Sequence, residues 1–393
     1  MFIKSLKTAL IASFLMLIIL PVFSQEEKEK KETKISWKFD TLSIVKAGTV
    51  KSQGRTGTCW DFSTVSFIES ELLRMDKGLM DISEMFIVRK AYPIKARKYV
   101  FFHGKNNFAQ GGQAHDVMNV IREHGMVPES VYSGMNIDLD IHNHGEMDAV
   151  LKAMMNAVIS KKGGEITPRW PEAIEAILDA YLGKAPNEFS VDGKQYTPQT
   201  FASDMGINPD NYVELTSFGY YPFYEKCLLE VPDNWSMDLY YNLPIDDLMD
   251  VMYAALEKGY SMVWDGDVSD KYFTHKNGVA YVPAVQWDRY SDESENSYIG
   301  RFQKEVAEVS QDDHDKTIYN QSTTDDHLMH LVGVTKDQFG TKYFLTKNSW
   351  SDKSNSLGGY LNMSDKFIRL RTIAIMVHKD AIPKNIAKKL GIK

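Results

Sequence analysis

The sequence predicts an α+β chain with helices first and a sheet later, and three observations carry this. Apolar residues recur at helical spacing from Cys59 to about Leu182. The last third holds three runs rich in β-branched and aromatic residues, HLMHLVGVTKD, KYFLTKNSW and AIMVHKD, separated by turn signals. Of the 393 residues, 43% are hydrophobic and 25% charged, a globular balance with enough chain for a large core.

The N-terminus reads as a secretory signal peptide over residues 1–24. Lys4 and Lys7 form a basic start, Ala9 to Leu20 an apolar stretch, and Pro21 to Ser24 a closing segment of the kind cleaved after export. A transmembrane helix needs about 20 apolar residues, and this run is shorter and broken by Pro21. The expectation is export to a periplasmic or extracellular location, with no stable membrane anchor after cleavage. Residues 25–40 open with the charged run Glu26 to Lys34, expected to be a flexible leader. Residues 41–393 divide into a helical half at about 41–135, a helical insertion at about 136–210 and a strand-rich half at about 211–393. The net charge of −8 offers no basic footprint for nucleic acid.

Behind Cys59, the residues Trp60, Val65, Ile68, Leu72 and Met75 mark one face of a helix about 17 residues long, with Gly78 as a stop signal. A loop-rich region follows. Val117, Val120 and Ile121 then mark a second helix from about Gln113 to His124, closed by Gly125. Met147, Leu151 and Met155, then Ile174 and Leu178, mark helices on either side of the loop KKGGEITPRW. FSVDGKQYTP reads as a hairpin turning on Asp192-Gly193. A helix with Pro244 near its first turn and Gly259 as its stop leads into a strand at YSMVWDGDV.

The chain has two cysteines, Cys59 and Cys227, so they form one bridge or both are free. A nucleophilic cysteine needs a stabilised thiolate, a proton partner and donors for the oxyanion it creates. The start of a helix lowers a thiol pKa from about 8.5, while Asp61 works against this. Gln53, six residues before Cys59, brings two uncharged amide N–H donors, and the Cys59 backbone N–H is a second candidate donor. His327 and His330 stand at the start of a strand, and an asparagine, Asn348, can accept from an imidazole and fix its tautomer. Cys227 has no comparable partners and is expected to be buried and inert. His142, His144 and Glu146 bring metal-ligand types together, but nothing else completes a set, so they read as loop residues. No metal or cofactor is expected.

Gln-x5-Cys-Trp, His-x5-Gly and Asn-Ser-Trp in that order resemble the papain-like cysteine peptidases. The resemblance implies Cys59 as nucleophile, Gln53 as oxyanion donor, His327 as base in register with Gly333, and Asn348 as the group orienting His327; His330 misses that register. It implies Gly111 and Gly112 as the glycine pair whose backbone holds the substrate. It also implies Trp350 as a substrate-side residue that shields the His327–Asn348 hydrogen bond. His327 follows Cys59 by 268 residues, against roughly 130–150 in papain and the cathepsins, which implies an insertion.

The bleomycin hydrolase and aminopeptidase C branch carries such an insertion. Its likeness extends over GGQAHDVMNVIREHGMVPESVY, LPIDDLMDVMYAALEKGYSMVWDGDVS and VHKDAIPKNIAKKLGIK, and Thr56 stands where secreted papains have a cysteine. The resemblance implies a papain-like fold with a mostly helical insertion, peptide substrates, an acyl-enzyme and aminopeptidase action. Three departures qualify it. The C-terminal arm that reads the substrate amine is not expected after KKLGIK, which keeps endopeptidase action and a silent peptide-binding module as alternatives. The shorter insertion leaves a homo-oligomer open, and Ser351 replaces the glycine usual after Asn-Ser-Trp.

Overall fold

Eleven strands join in one sheet within the computed structural model, which describes residues 36–137, 140–161, 163–284 and 302–393. The predicted signal peptide and residues 25–35 of the leader lie outside the described residues. The first elements are β1 (Phe39–Ile44), α1 (Cys59–Arg74), α2 (Glu84–Phe101) and α3 (Ala114–His124). Next come α4 (Gly145–Ile159), α5 (Trp170–Leu182), the hairpin β2 (Phe189–Val191) and β3 (Lys194–Tyr196), and α6 (Pro198–Met205). The strands β4 (Tyr212–Thr216), β5 (Lys226–Leu228) and β6 (Leu239–Asn242) precede α7 (Ile245–Glu257), β7 (Met262–Gly266), β8 (Phe273–Thr274) and β9 (Val279–Ala280). The chain continues through α8 (Gln311–Tyr319), β10 (His327–Asp337), β11 (Lys342–Lys347), β12 (Tyr360–Ser364), α9 (Asp365–Arg371), β13 (Thr372–His378) and α10 (Lys384–Leu390).

The sheet runs β5-β6-β4-β13-β7-β10-β11-β12-β9-β8, with β1 added beside β10. One edge of β10 pairs with β11; along the other, His327–Leu331 pair with β7 and Gly333–Asp337 with β1. Almost every residue of β10 is buried, as expected of a strand covered on both faces. Its side chains alternate: Leu328 joins the helical core, while Met329 and Leu331 join the core under α7, α9 and α10.

The helical core gathers Trp60, Phe67 and Leu72 of α1 with Phe86 of α2, Val117 and Ile121 of α3, and residues of α4 to α6. Leu72 is fully buried, so truncation to alanine there would cost about 2–5 kcal/mol. The second core places Leu248 and Met252 of α7 against Trp264, Phe344 and Ile375 of the sheet.

Two features differ from the sequence expectation. The stretch read as loop-rich contains α2, capped by Ser83, whose hydroxyl accepts from the Phe86 N–H at 3.0 Å. Pro93 inside the helix and the buried charges Arg89 and Lys95 interrupt its apolar stripe, which hid the period. Arg89 is held by Glu175 and Asp179 of α5 at 2.7 and 2.5 Å. In addition β1, partly within the range read as helical half, is a sheet strand. At the other end, Ile386 and Leu390 of α10 are buried in the second core, and Lys389 bonds Tyr224 and Asp247.

Candidate active site

Cys59 is the first residue of α1, where backbone N–H groups lack intrahelical acceptors. The turn ahead of it is fastened to the segment before the glycine pair. Gln110 Oε1 accepts from the Gly57 N–H at 2.8 Å, and its carbonyl accepts from Trp60 Nε1 at 3.0 Å. Cys59 is partly buried and free; Cys227, on β5, is also free and is buried, so no disulfide joins them.

The electrostatics differ from the expectation of a thiol eased by its helix. Burial pushes the Cys59 thiol up to about 12, and the charges of Asp233, Asp265 and Asp325 push the same way. The backbone at Leu328 acts in the opposite direction. Asp61 is fully buried with neither carboxylate oxygen hydrogen-bonded, and burial holds its pKa well above the usual range. Burial thus favours the uncharged form of Asp61, which weakens its opposition to a thiolate.

Strand β10 begins at His327 and packs against α1, the helix that Cys59 opens. His327 Nε2 donates to Asn348 Oδ1 at 2.8 Å, which leaves Nδ1 free to take a proton. Asn348 is itself fixed: Oδ1 also accepts from the Ser349 N–H at 2.7 Å, and Nδ2 lies 3.3 Å from His275 Nδ1. His275 Nε2 is 2.8 Å from Ser354 Oγ, so its ring is fixed at both nitrogens. The Trp350 ring packs against both His327 and His275, each with centroids 4.9 Å apart. Burial pushes His327 down to about 4, Asn348 acting in the opposite direction. Burial thus opposes charge on sulfur and imidazole alike, and only the two opposite charges together offset it.

Gln53 is buried, and its amide is placed by both halves. Its Oε1 accepts from Ser349 Oγ at 2.6 Å, and its Nε2 donates to the Thr56 carbonyl at 2.8 Å, leaving one amide N–H. Its backbone N–H donates to the Ser349 carbonyl at 2.9 Å, and the Ser351 N–H to the Lys51 carbonyl at 3.1 Å. The loops carrying Gln53 and Asn348 are therefore stitched together.

Gly111 and Gly112 are required for close approach rather than for unusual backbone angles. A Cβ at Gly111 would lie 2.0 Å from Asp233 Oδ2, and one at Gly112 would lie 3.0 Å from the Trp60 ring. The Gly111 carbonyl already accepts from the Lys95 ammonium, so Gly111 is part of the wall.

Sequence reasoning missed His275 and the carboxylates Asp233, Asp265 and Asp325. Asp265 pairs in register with Leu328 and is 2% exposed. One signal was available: an aspartate inside the apolar run SMVW-D-G. His330, the rival to His327, faces α1, where its Nδ1 meets Ser66 Oγ at 2.9 Å beside Lys347. The rings of His142 and His144 lie 5.9 Å apart; among the described residues no group of three ligating side chains converges on a metal-sized site.

Residues 181–392 match the peptidase C1-like family, and residues 35–196 match the papain family of cysteine proteases. Aminopeptidase W of Lactobacillus delbrueckii subsp. lactis is 24% identical over 392 residues, covering 88% of this chain and 84% of the relative. Aminopeptidase G of the same organism is 23% identical, over 86% of this chain and 82% of its own. The crystal structure of PepW from Lactobacillus rhamnosis shares the fold, with a TM-score of 0.67 at 18% identity over 90% of this chain and 84% of that one. With more than half of its length matched, the chain belongs to the peptidase C1-like family of papain-type cysteine peptidases and has that family's α+β fold.

Proposed function

We propose that this chain is an exported cysteine peptidase that cleaves peptide bonds through Cys59, His327 and Asn348. The observation that carries the reading is the hydrogen bond at the start of β10: His327 Nε2 is committed to Asn348 Oδ1 at 2.8 Å, on a strand that packs against the helix opened by Cys59. His327 Nδ1 is then the ring nitrogen left to serve as base.

Cys59 Sγ attacks the scissile carbonyl carbon while its proton passes to Nδ1. The oxyanion receives the remaining Gln53 Nε2–H and the Cys59 backbone N–H. The proton then moves from His327 to the departing nitrogen as the C–N bond breaks, leaving a thioester. Water, deprotonated by the same imidazole, attacks the thioester and releases the acid and the thiol. Trp350 covers the His327–Asn348 bond from solvent, and of the glycine pair Gly111 is half-buried while Gly112 is buried.

Aminopeptidase action of the bleomycin hydrolase type is the finer reading. Its support is the resemblance of the sequence stretches to that branch and the names of the two aminopeptidase relatives aligned over most of both chains. Export rests on the basic, apolar and closing segments within residues 1–24.

Cys59→Ala and His327→Ala are expected to abolish hydrolysis by the purified protein; substantial residual turnover in either would remove the assignment. Rates on free and N-acetylated forms of one peptide decide the exopeptidase question, since equal rates exclude a site that reads the amine. The N-terminal residue of the protein recovered from outside the cytoplasm tests cleavage near Ser24.

A further inference from the structure

Beside Cys59 the protein buries acidic side chains without a cation to match. Asp265 comes from β7, opposite Leu328 of β10. Asp325 comes from the segment just before His327 and is partly exposed; its neighbour Thr324 bonds Asp267 at the end of β7, which brings the segment alongside that strand. Burial and then Asp325 push Asp265 well above the carboxylate range, and burial and then Asp233 raise Asp325 to about 7. Gln113, directly after the glycine pair, donates from Nε2 to Asp325 Oδ2 at 2.9 Å.

Two independent features show that this group is unfinished. Asp265 is 2% exposed, and neither of its oxygens accepts a hydrogen bond of good geometry. Gln113 is fully buried, its amide reaches into the group, and its Oε1 has no donor. Buried acceptors in this number are costly unless a donor arrives. Among the described residues the influences on both acids are burial, other carboxylates and Gln113, with no lysine or arginine paired to either. Asp61 is equally bare of hydrogen bonds but feels the Lys51 charge, Glu84 and Glu69 face Lys51 directly, and Glu214 faces His115 at 2.5 Å.

Burial and mutual repulsion oppose ionising both acids in the empty site. An incoming cation relieves that repulsion and can donate N–H bonds to the unpartnered oxygens of Asp265 and Gln113. The site faces the thiol, since both carboxylates act on Cys59 through space. Asp233, against Gly111 and held by Asn107 at 2.7 Å, adds negative potential on the same side.

We propose that Asp265 and Asp325, together with Gln113, form a recognition subsite beside Cys59 for a cationic group of the peptide substrate, an ammonium or a guanidinium. The proposal rests on the peptidase reading and names the substrate class of that site. An α-ammonium and a basic side chain share this chemistry, and the test separates them.

The probes are aminomethylcoumarin amides of Xaa-Ala, with Xaa arginine or its neutral isostere citrulline, each N-acetylated or with a free amine. The expected result is a kcat/KM at least about tenfold higher for one cationic form than for its neutral counterpart. Acetylated arginine against acetylated citrulline reports a side-chain cation. Free against acetylated citrulline reports the α-ammonium. Asp325→Asn and Asp265→Asn should each lower that cationic-to-neutral ratio by about tenfold or more, and Asp325, being partly exposed, carries the test if the Asp265 variant does not fold. Hydrolysis by the unmodified protein with ratios near one in both comparisons overturns the subsite and leaves the peptidase reading standing.

If no substrate is hydrolysed, calorimetry of Cys59→Ala with acetylated Arg-Ala amide, acetylated Cit-Ala amide and free-amine Cit-Ala amide decides. Tighter binding of either cationic form than of acetylated Cit-Ala amide, by tenfold or more, keeps the subsite and removes the peptidase reading. Equal binding of all three removes both.

Discussion

Replacing His327 by alanine isolates what the surroundings do to the Cys59 thiol. Burial and the carboxylates Asp233, Asp265 and Asp325 set it at about 12, and none of these is removed by the substitution. At pH 7 a thiol with that pKa is thiolate in about one molecule in 100,000, whereas an ordinary thiol near 8.5 is ionised to about 3%. Cys59 in His327→Ala should therefore be alkylated by iodoacetamide about three orders of magnitude more slowly than an ordinary thiol. Its rate should climb about tenfold per pH unit up to pH 10, because only the deprotonated form reacts. Cys227 is an internal control, pushed by burial up to about 11. In the unmodified protein Cys59 should react many-fold faster than Cys227, and in the variant no faster. Site-resolved labelling by mass spectrometry reads both cysteines in one sample. Rapid labelling of Cys59 at pH 7 in the variant would refute the argument that the imidazole, and not the helix start, makes this sulfur reactive.

Asn348→Ala deletes the 2.8 Å bond that orients His327, worth about 1–3 kcal/mol, so kcat/KM should fall roughly 5- to 150-fold, mostly through kcat. A loss confined to KM would contradict an orienting role. Ser351 occupies left-handed backbone at φ 79°, which costs a non-glycine residue about 1 kcal/mol, so Ser351→Gly should raise the urea midpoint. A lower midpoint would mean that its hydroxyl bonds to Asp352 and Lys353 outweigh the strain. Burial works against charging His115, but Glu214 and then Asp116 overcome it and raise the group to about 9. With the folded value above the unfolded one near 6.5, this stabilisation is complete below about pH 6.5 and is lost as pH rises through 9, about 3 kcal/mol in all. Glu214→Gln should flatten that part of the stability profile; an unchanged slope would locate the titration elsewhere.

What the sequence made legible follows the range of its periodicities. Cys59 stands directly ahead of an apolar stripe, and α1 begins there. The apolar runs near the C-terminus became β10, β11 and β13, and the step from His327 to Gly333 separated it from His330, which the structure turns toward Ser66. The α2 helix escaped because its buried Arg89 is paired with Glu175 and Asp179 far along the chain and its buried Lys95 is held by the Ala109 and Gly111 carbonyls, which no local stripe records. His275 and Asp325 gain their meaning from strand pairing and loop closure. Asp265 is the instructive case: its residue type was anomalous in an apolar run, but only the pairing of Asp265 with Leu328 says what it faces. Composition and spacing are local quantities, whereas the electrostatics of this thiol are set by residues from four separate stretches of chain.

The stitching of the Gln53 loop to the Ser349–Ser351 loop joins the site mechanically. Gln53, Asn348 and Trp350 ride on hydrogen-bonded neighbours, and His327 is tied to Asn348, so these four behave as one rigid block. The sulfur sits on the first turn of α1, and that helix is fastened to the same block: the Gln53 amide holds the Thr56 carbonyl just ahead of it, and Ser66 two turns on meets His330 and Lys347. A slide of α1 along β10 must therefore break several hydrogen bonds at once, so nucleophile, imidazole and oxyanion amide keep their mutual positions as the parts of a single casting do.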